Sequence, residues 1–162
     1  MALFVGKHVN KVDKKGRVSV PKVFRASLLD EGFSGLYAYP LFKHQAIEAC
    51  SEDFLMRLSD SLDDLALFSD EQDDLAAVIL ENAHPLTFDP EGRITLPTDL
   101  TNHAGITNEA VFVGRGARMR IWQPSIYKEN NTMSFERARV RGATLALKPH
   151  NENPGSGKGD TP

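Results

Sequence analysis

One stretch of this chain occurs twice. His8-Val-Asn-Lys-Val-Asp13-Lys-Lys-Gly16-Arg17-Val-Ser-Val-Pro21 returns 76 residues later, without a gap, as His84-Pro-Leu-Thr-Phe-Asp89-Pro-Glu-Gly92-Arg93-Ile-Thr-Leu-Pro97. Each copy must form the same local structure. A copy of roughly 45 residues lies near the lower limit for folding alone. The two are therefore expected to share one core.

The local structure follows from the residue types. Asp-x-x-Gly is a four-residue turn whose Asp can bond the backbone ahead of it and whose Gly accepts a left-handed conformation. Pro90 sits where its fixed φ suits a type I turn. A type I turn followed by a left-handed Gly is a common bulged hairpin connection, so each copy predicts strand, tight turn, strand. In the returning strand, alternation places Val18 and Val20, and likewise Ile94 and Leu96, toward a core. Arg17 and Ser19, with Arg93 and Thr95, take the polar face. Pro21 and Pro97 fit first helical turns. Short helices then use Phe24 and Leu28, or Leu100 and Ala104. β-leaning stretches follow at Gly35–Tyr39 and Ala110–Val113, and the second copy adds a hairpin through Gly114–Trp122.

Residues 1–50 are read as the first repeat, 51–82 as an acidic helical linker and 83–128 as the second repeat. Residues 129–147 are read as a C-terminal helix, its helical pattern clearest over 134–147, and 148–162 as a disordered tail, rich in Pro, Gly and polar residues. In the linker, Ser51 caps a helix with Phe54, Leu58, Leu62 and Leu65 on one face, and Ser69 with Gln72 opens another carrying Leu75, Val78 and Ile79.

Charge is unevenly spread. The net charge is −3, yet residues 52–81 hold ten acids and a single base, Arg57, while residues 1–25 carry seven bases and one acid, Asp13. Such separation points to an anionic partner for the basic part. Cys50 is the only cysteine, which excludes an intramolecular disulfide and fits a small core residue. No apolar run is long enough to span a membrane, and the N-terminus lacks a secretory pattern, so a cytoplasmic location is expected. No nucleophile, phosphate-loop or metal-ligand spacing is recognisable, so neither an enzyme, a cofactor, a metal nor a small-molecule substrate is expected. His8 and His84 recur without further ligands and are expected to pack or to bond backbone.

Two copies of Asp-x-x-Gly-Arg-[VI]-[ST]-[VL]-Pro, with the opening Phe4-Val-Gly6 and the Ile121-Trp122 strand, resemble the MraZ family. The wider resemblance is to the AbrB and SpoVT swapped-hairpin superfamily, over about residues 1–128. It implies an α+β fold in which two tandem AbrB-like β-hairpin repeats form one shared β-barrel-like core, with short helices and a helical linker. It further implies a nucleoid-associated regulator, a repressor by default, acting as a ring-shaped homo-oligomer. Its target would be short G-rich direct repeats in double-stranded DNA at the promoter of the division and cell-wall gene cluster. The matching DNA-surface positions are Asp13 and Arg17, and Asp89 and Arg93.

In that reading Arg17 pairs with a guanine edge, Lys14 and Lys15 neutralise phosphates, and Asp13 orients the arginine. Lys7, Lys11, Lys22 and Arg25 are weaker candidates. The second turn, Pro90-Glu91, carries negative charge, so Arg93 has two readings: a DNA contact, or a subunit contact or structural ion pair. Arg115, Arg118 and Arg120 surround the last hairpin and could face DNA or another subunit. Gly114-Arg-Gly116 fits an anion-binding nest as well as an ordinary turn. The alternative function is a protein-interaction module of the same fold, such as an antitoxin.

Overall fold

The computed structural model describes residues 2–29 and 32–149. The first copy supplies β1 (Lys7–Lys11), β2 (Arg17–Ser19), α1 (Lys22–Leu28), β3 (Gly35–Leu41) and β4 (Ala46–Cys50). Helices α2 (Glu52–Asp63) and α3 (Asp70–Leu75), the latter running into a π-helical turn (Ala76–Leu80), lead to the second copy. That copy repeats the order as β5 (His84–Thr87), β6 (Arg93–Thr95), α4 (Thr98–Ala104), β7 (Glu109–Arg115) and β8 (Arg118–Trp122), followed by α5 (Pro124–Arg141).

The copies exchange their first strands. β1 pairs antiparallel with β7, and β5 with β3, in a six-stranded sheet of order β1-β7-β8-β4-β3-β5. β4 and β8 join the two halves at its centre, while β2 and β6 form a separate two-stranded ribbon. The registers are those of a pseudo-twofold: Val18 faces Ile94 in the ribbon, and Glu48 faces Arg120 in the sheet. The expected barrel-like closure is not what forms. The six-stranded sheet stays open, with β1 and β5 at its edges. The ribbon strands are three residues long, and two residues past their ends stand Pro21 and Pro97, whose missing N–H groups cannot extend a ladder.

One face of the sheet is the main core. Leu36, Ala38, Ile47, Ala49, Phe112, Met119 and Ile121 point there and meet Val18, Val20, Ile94 and Leu96 of the ribbon, Phe24 and Leu28 of α1, and Leu100 of α4. The alternation expected of the returning strands is therefore present: Val18 and Ile94 are buried, whereas Ser19 and Thr95 are exposed. Pro21 and Pro97 sit one position earlier than expected. They cap the helices in extended conformation, and their carbonyls accept the first helical bonds.

The other face carries Leu41, Ala46 and Trp122, against which Ile126 and Tyr127 of α5 pack. Helix α5 runs Pro124–Arg141, starting earlier and stopping sooner than the expected 129–147, because Gln123 caps it and left-handed Gly142 ends it. Ser51 and Ser69 cap α2 and α3 by accepting from the amides of Phe54 and Gln72. The tail expected to be disordered lies, from residue 150 on, outside the described residues.

Three polar details complete the scaffold. Glu48 is buried and accepts from Tyr39 Oη at 2.6 Å and Arg120 Nε at 3.2 Å, with Arg118 Nη1 at 3.5 Å. His8 packs edge-on against Phe24, and His84 lies 2.8 Å from the Asp99 carboxylate rather than on backbone. Burial, reinforced by the Glu48 charge, pushes the Cys50 thiol up to about 12. Cys50 should therefore resist alkylation by iodoacetamide at pH 8 in the folded protein and react on unfolding.

Gly114 lies against the N-terminal segment so closely that a Cβ there would sit 2.3 Å from the Phe4 carbonyl carbon. The amide of Phe4 donates to the Gly116 carbonyl, and its ring is fully buried. Gly114→Ala should destabilise the protein by about 2–3 kcal/mol in urea unfolding. Gly116→Ala, where the space is open but φ is +76°, should cost about 1–2 kcal/mol.

Candidate nucleic-acid interface

Each turn is built by its aspartate. The Asp13 amide donates to the Arg17 carbonyl, and the Gly16 amide to the Asp13 carbonyl, both at 3.0 Å. Gly16 turns left-handed at φ 81° and Gly92 at φ 78°. One oxygen of the Asp13 carboxylate accepts from the amides of Lys15 and Arg17, at 3.0 and 2.9 Å. The other holds Arg17 Nε at 2.6 Å. Asp89 does the same for the amides of Glu91 and Arg93 and for Arg93 Nε, at 2.9, 2.9 and 2.8 Å. The backbone amides of Arg17 and of Arg93 are the largest influence holding the two carboxyls below their usual range. Both aspartates thus stay ionised and fix the direction of the guanidinium that follows.

The ribbon sets these two units side by side. Arg17 faces Thr95, and Ser19 faces Arg93. Strand alternation puts all four side chains on the ribbon's outer side. Arg17 and Arg93 line one open concavity with Lys11, Asp13, Ser19, Asn108 and Glu109. Lys14 and Lys15 are exposed on the first turn, adjoining Arg17.

The two arginines differ in what is left free. Asp13 occupies Arg17 Nε, and the pair is 37% exposed on both sides. In the second copy Glu91 Oε2 also reaches Arg93 Nη2, at 3.4 Å. The hydrogen bond to Asp89 is the main reason the Arg93 pKa lies above its usual range. Arg93 is thus an ion-paired group, the structural role kept open for it above, while still lining the concavity. Arg25 donates from Nε to the Val20 carbonyl, and its guanidinium covers Gly92, so it braces the second turn.

The remaining candidates divide. Lys22 is exposed at the start of α1, beside Ser19 in a shallow depression. Lys7 sits at the far end of β1, with Nζ 5.7 Å from the centre of the Tyr127 ring, away from the turns. Lys11, a weaker candidate in sequence, is nearer Arg17 and Arg93. Arg118 and Arg120 are committed to Glu48. The proposed anion nest does not form: the amides of Gly114 and Gly116 bond the carbonyls of Gly6 and Phe4. Asn108 and Glu109 at the concavity escaped sequence reasoning, because Asn108 precedes β7 and Glu109 begins it, and no pattern links them to β2. Among the described residues no cluster of His, Cys, Asp and Glu is arranged to hold a metal ion.

Comparison with known proteins adds an independent finding. Residues 79–143 match the family model described as "MraZ protein, putative antitoxin-like". A protein of Pelagibacter ubique named transcriptional regulator MraZ is 42% identical over 151 residues, covering 93% of this chain and 97% of its own length. Its namesake in Rickettsia bellii is 40% identical over 90% of this chain and 97% of its own length. A third, from Parvibaculum lavamentivorans, is 44% identical over 78% and 80% respectively. With identity of this order running the length of those relatives, and with both Asp-x-x-Gly-Arg turns in place, this chain belongs to the MraZ family.

Proposed function

We propose that this protein is a sequence-specific, DNA-binding transcription regulator whose reading element is the β2–β6 ribbon. The exchange of first strands is read as the AbrB-like arrangement of two tandem repeats. The single observation that carries the proposal is the pairing of Arg17, held at Nε by Asp13 and, among the described residues, free at its two other nitrogens, with Lys14 and Lys15 on one exposed turn. A two-stranded ribbon fits the major groove, and an arginine fork matches guanine O6 and N7. The lysines neutralise phosphates. Arg93 contributes less, because Glu91 competes for it and adds negative charge facing DNA.

The relatives' shared name supports regulation of transcription. The finer reading is repression at the promoter of the division and cell-wall gene cluster. There the protein binds short G-rich direct repeats as a ring on the nucleoid. One ribbon reads few base pairs, so several copies on adjacent repeats supply affinity through effective concentration. A second reading, an antitoxin that binds a toxin, draws on the words of the family description alone. Co-purification of a stoichiometric small partner would favour it.

Binding to a duplex of G-rich direct repeats, against a scrambled duplex over a salt series, tests the proposal. The repeats should bind roughly a thousand-fold more tightly, and affinity should fall steeply with salt. Arg17→Ala should erase about 1–3 kcal/mol of discrimination per contacted site while leaving the urea midpoint nearly unchanged, and Arg93→Ala should cost less. Lys14→Ala and Lys15→Ala should each reduce the salt slope by about one. Equal binding to both duplexes would remove the claim of specificity.

The depressed carboxyls give a pH test. A carboxyl lowered in the folded state contributes stability above its unfolded pKa of about 3.9 and loses it as pH falls through the lowered value. Side-chain NMR titration should show Asp13 and Asp89 protonating below the ordinary aspartate value of about 3.9, so discrimination should persist at pH 5.

A further inference from the structure

The sheet face turned away from the main core holds a groove that the DNA reading does not use. Its floor is Tyr39, Glu48, Arg118 and Arg120, and its walls are Leu41, Phe42 and Lys43 on one side and Leu58 and Ile79 on the other. Three cations there meet one carboxylate. The positive character extends further: His44 is depressed by burial and then by the charges of Arg120, Arg115, Arg137 and Lys43. Arg115 is itself lowered by burial and by Arg120 and Arg118. Cations crowded together in this way favour an anionic occupant.

The walls decide between nucleic acid and protein. Phe42, Leu58 and Ile79 offer apolar surface, with Phe42 55% exposed, and a phosphodiester backbone gains nothing from it. The chain itself carries a surface of complementary chemistry. Between α2 and α3, Leu67 is 73% exposed and Phe68 is 91% exposed. Phe68 also adopts a left-handed φ of 64°, an outlier for a bulky residue. Around this apolar tip stand Asp63, Asp64, Asp70 and Glu71, in a segment whose only base is Arg57. An aromatic anchor within a ring of like charge suits a basic, apolar-walled groove.

We infer that the α2–α3 corner of one copy, led by Leu67 and Phe68, seats in the basic sheet-face groove of a second copy. The two surfaces are different, so the contact is head-to-tail and leaves the first copy's groove and the second copy's corner free. Such a contact can propagate and close. It lies on the opposite side of the sheet from the ribbon, so every copy in an assembly keeps its Arg17 exposed. The inference rests on the self-assembly reading above and names the surfaces that would make the contact.

Light scattering and sedimentation of the full chain at micromolar concentration test it. Wild type should form assemblies that dissociate as salt rises. A corner variant, Phe68→Asp with Asp70→Lys, and a groove variant, Phe42→Asp with Lys43→Glu, should each sediment as monomers with unchanged far-ultraviolet circular dichroism. Mixed in equal amounts, they should form one-to-one dimers and nothing larger, because each retains one intact surface. Phe68→Gly keeps the fold testable: relief of the left-handed strain should raise the unfolding midpoint, while loss of the ring weakens assembly by about thirty-fold or more. If wild type assembles and either double variant assembles equally well, this contact is wrong and the assembly reading survives. A mixture that stays monomeric also overturns the contact. A monomeric wild type overturns both, leaving the DNA reading of the ribbon to its own test.

Discussion

The exchange of first strands is the constraint on which the rest of the structure depends. β1 finds its hydrogen-bonding partner in β7 of the second copy, and β5 finds its own in β3 of the first. Neither copy therefore has a complete sheet of its own. The same exchange brings β2 against β6, since each ribbon strand is tied to its exchanged neighbour by a five-residue turn region. Two Asp–Arg units that are distant in sequence become adjacent across a ribbon three residues wide.

The two copies share their scaffold but not their charge. The scaffold contacts are kept in both copies: the left-handed glycines, the amide bonds to each aspartate, and the buried Val18–Ile94 pair. The charges around them are not kept. Lys14 and Lys15 in one turn are replaced by Pro90 and Glu91 in the other. The same geometry with altered charge gives one basic turn and one whose Glu91 also reaches the arginine that follows. An exposed ion pair adds little stability, so these pairs serve direction more than strength.

The sheet's two faces divide the labour by the same alternation that built them. Residues pointing inward form the main core with the ribbon and α1 and α4. Residues pointing outward include Glu48 with its tyrosine and two arginines. A buried carboxylate requires such partners, because an unpaired charge out of water is costly. Their presence leaves the groove basic, in contrast to the acid-rich segment of α2 and α3.

The sequence by itself determined the local units. The repeat specified both turns, and Asp-x-x-Gly determined their type because only a few residues serve those backbone positions. Alternation marked Val18, Val20, Ile94 and Leu96 as core, and Ser51 and Ser69 announced helix starts through their capping oxygens. Tertiary structure alone decided the rest, because it depends on pairings between residues far apart in the chain. It left the sheet open instead of closing a barrel, and it drew Asn108 and Glu109 to the arginines while placing Lys7 at the far end of β1. It also consumed the amides of Gly114 and Gly116 on the N-terminal segment and committed Arg118 and Arg120 to Glu48. Local chemistry fixes how a turn is made, but which strands meet, and hence which charges share a surface, is settled by the burial of whole faces.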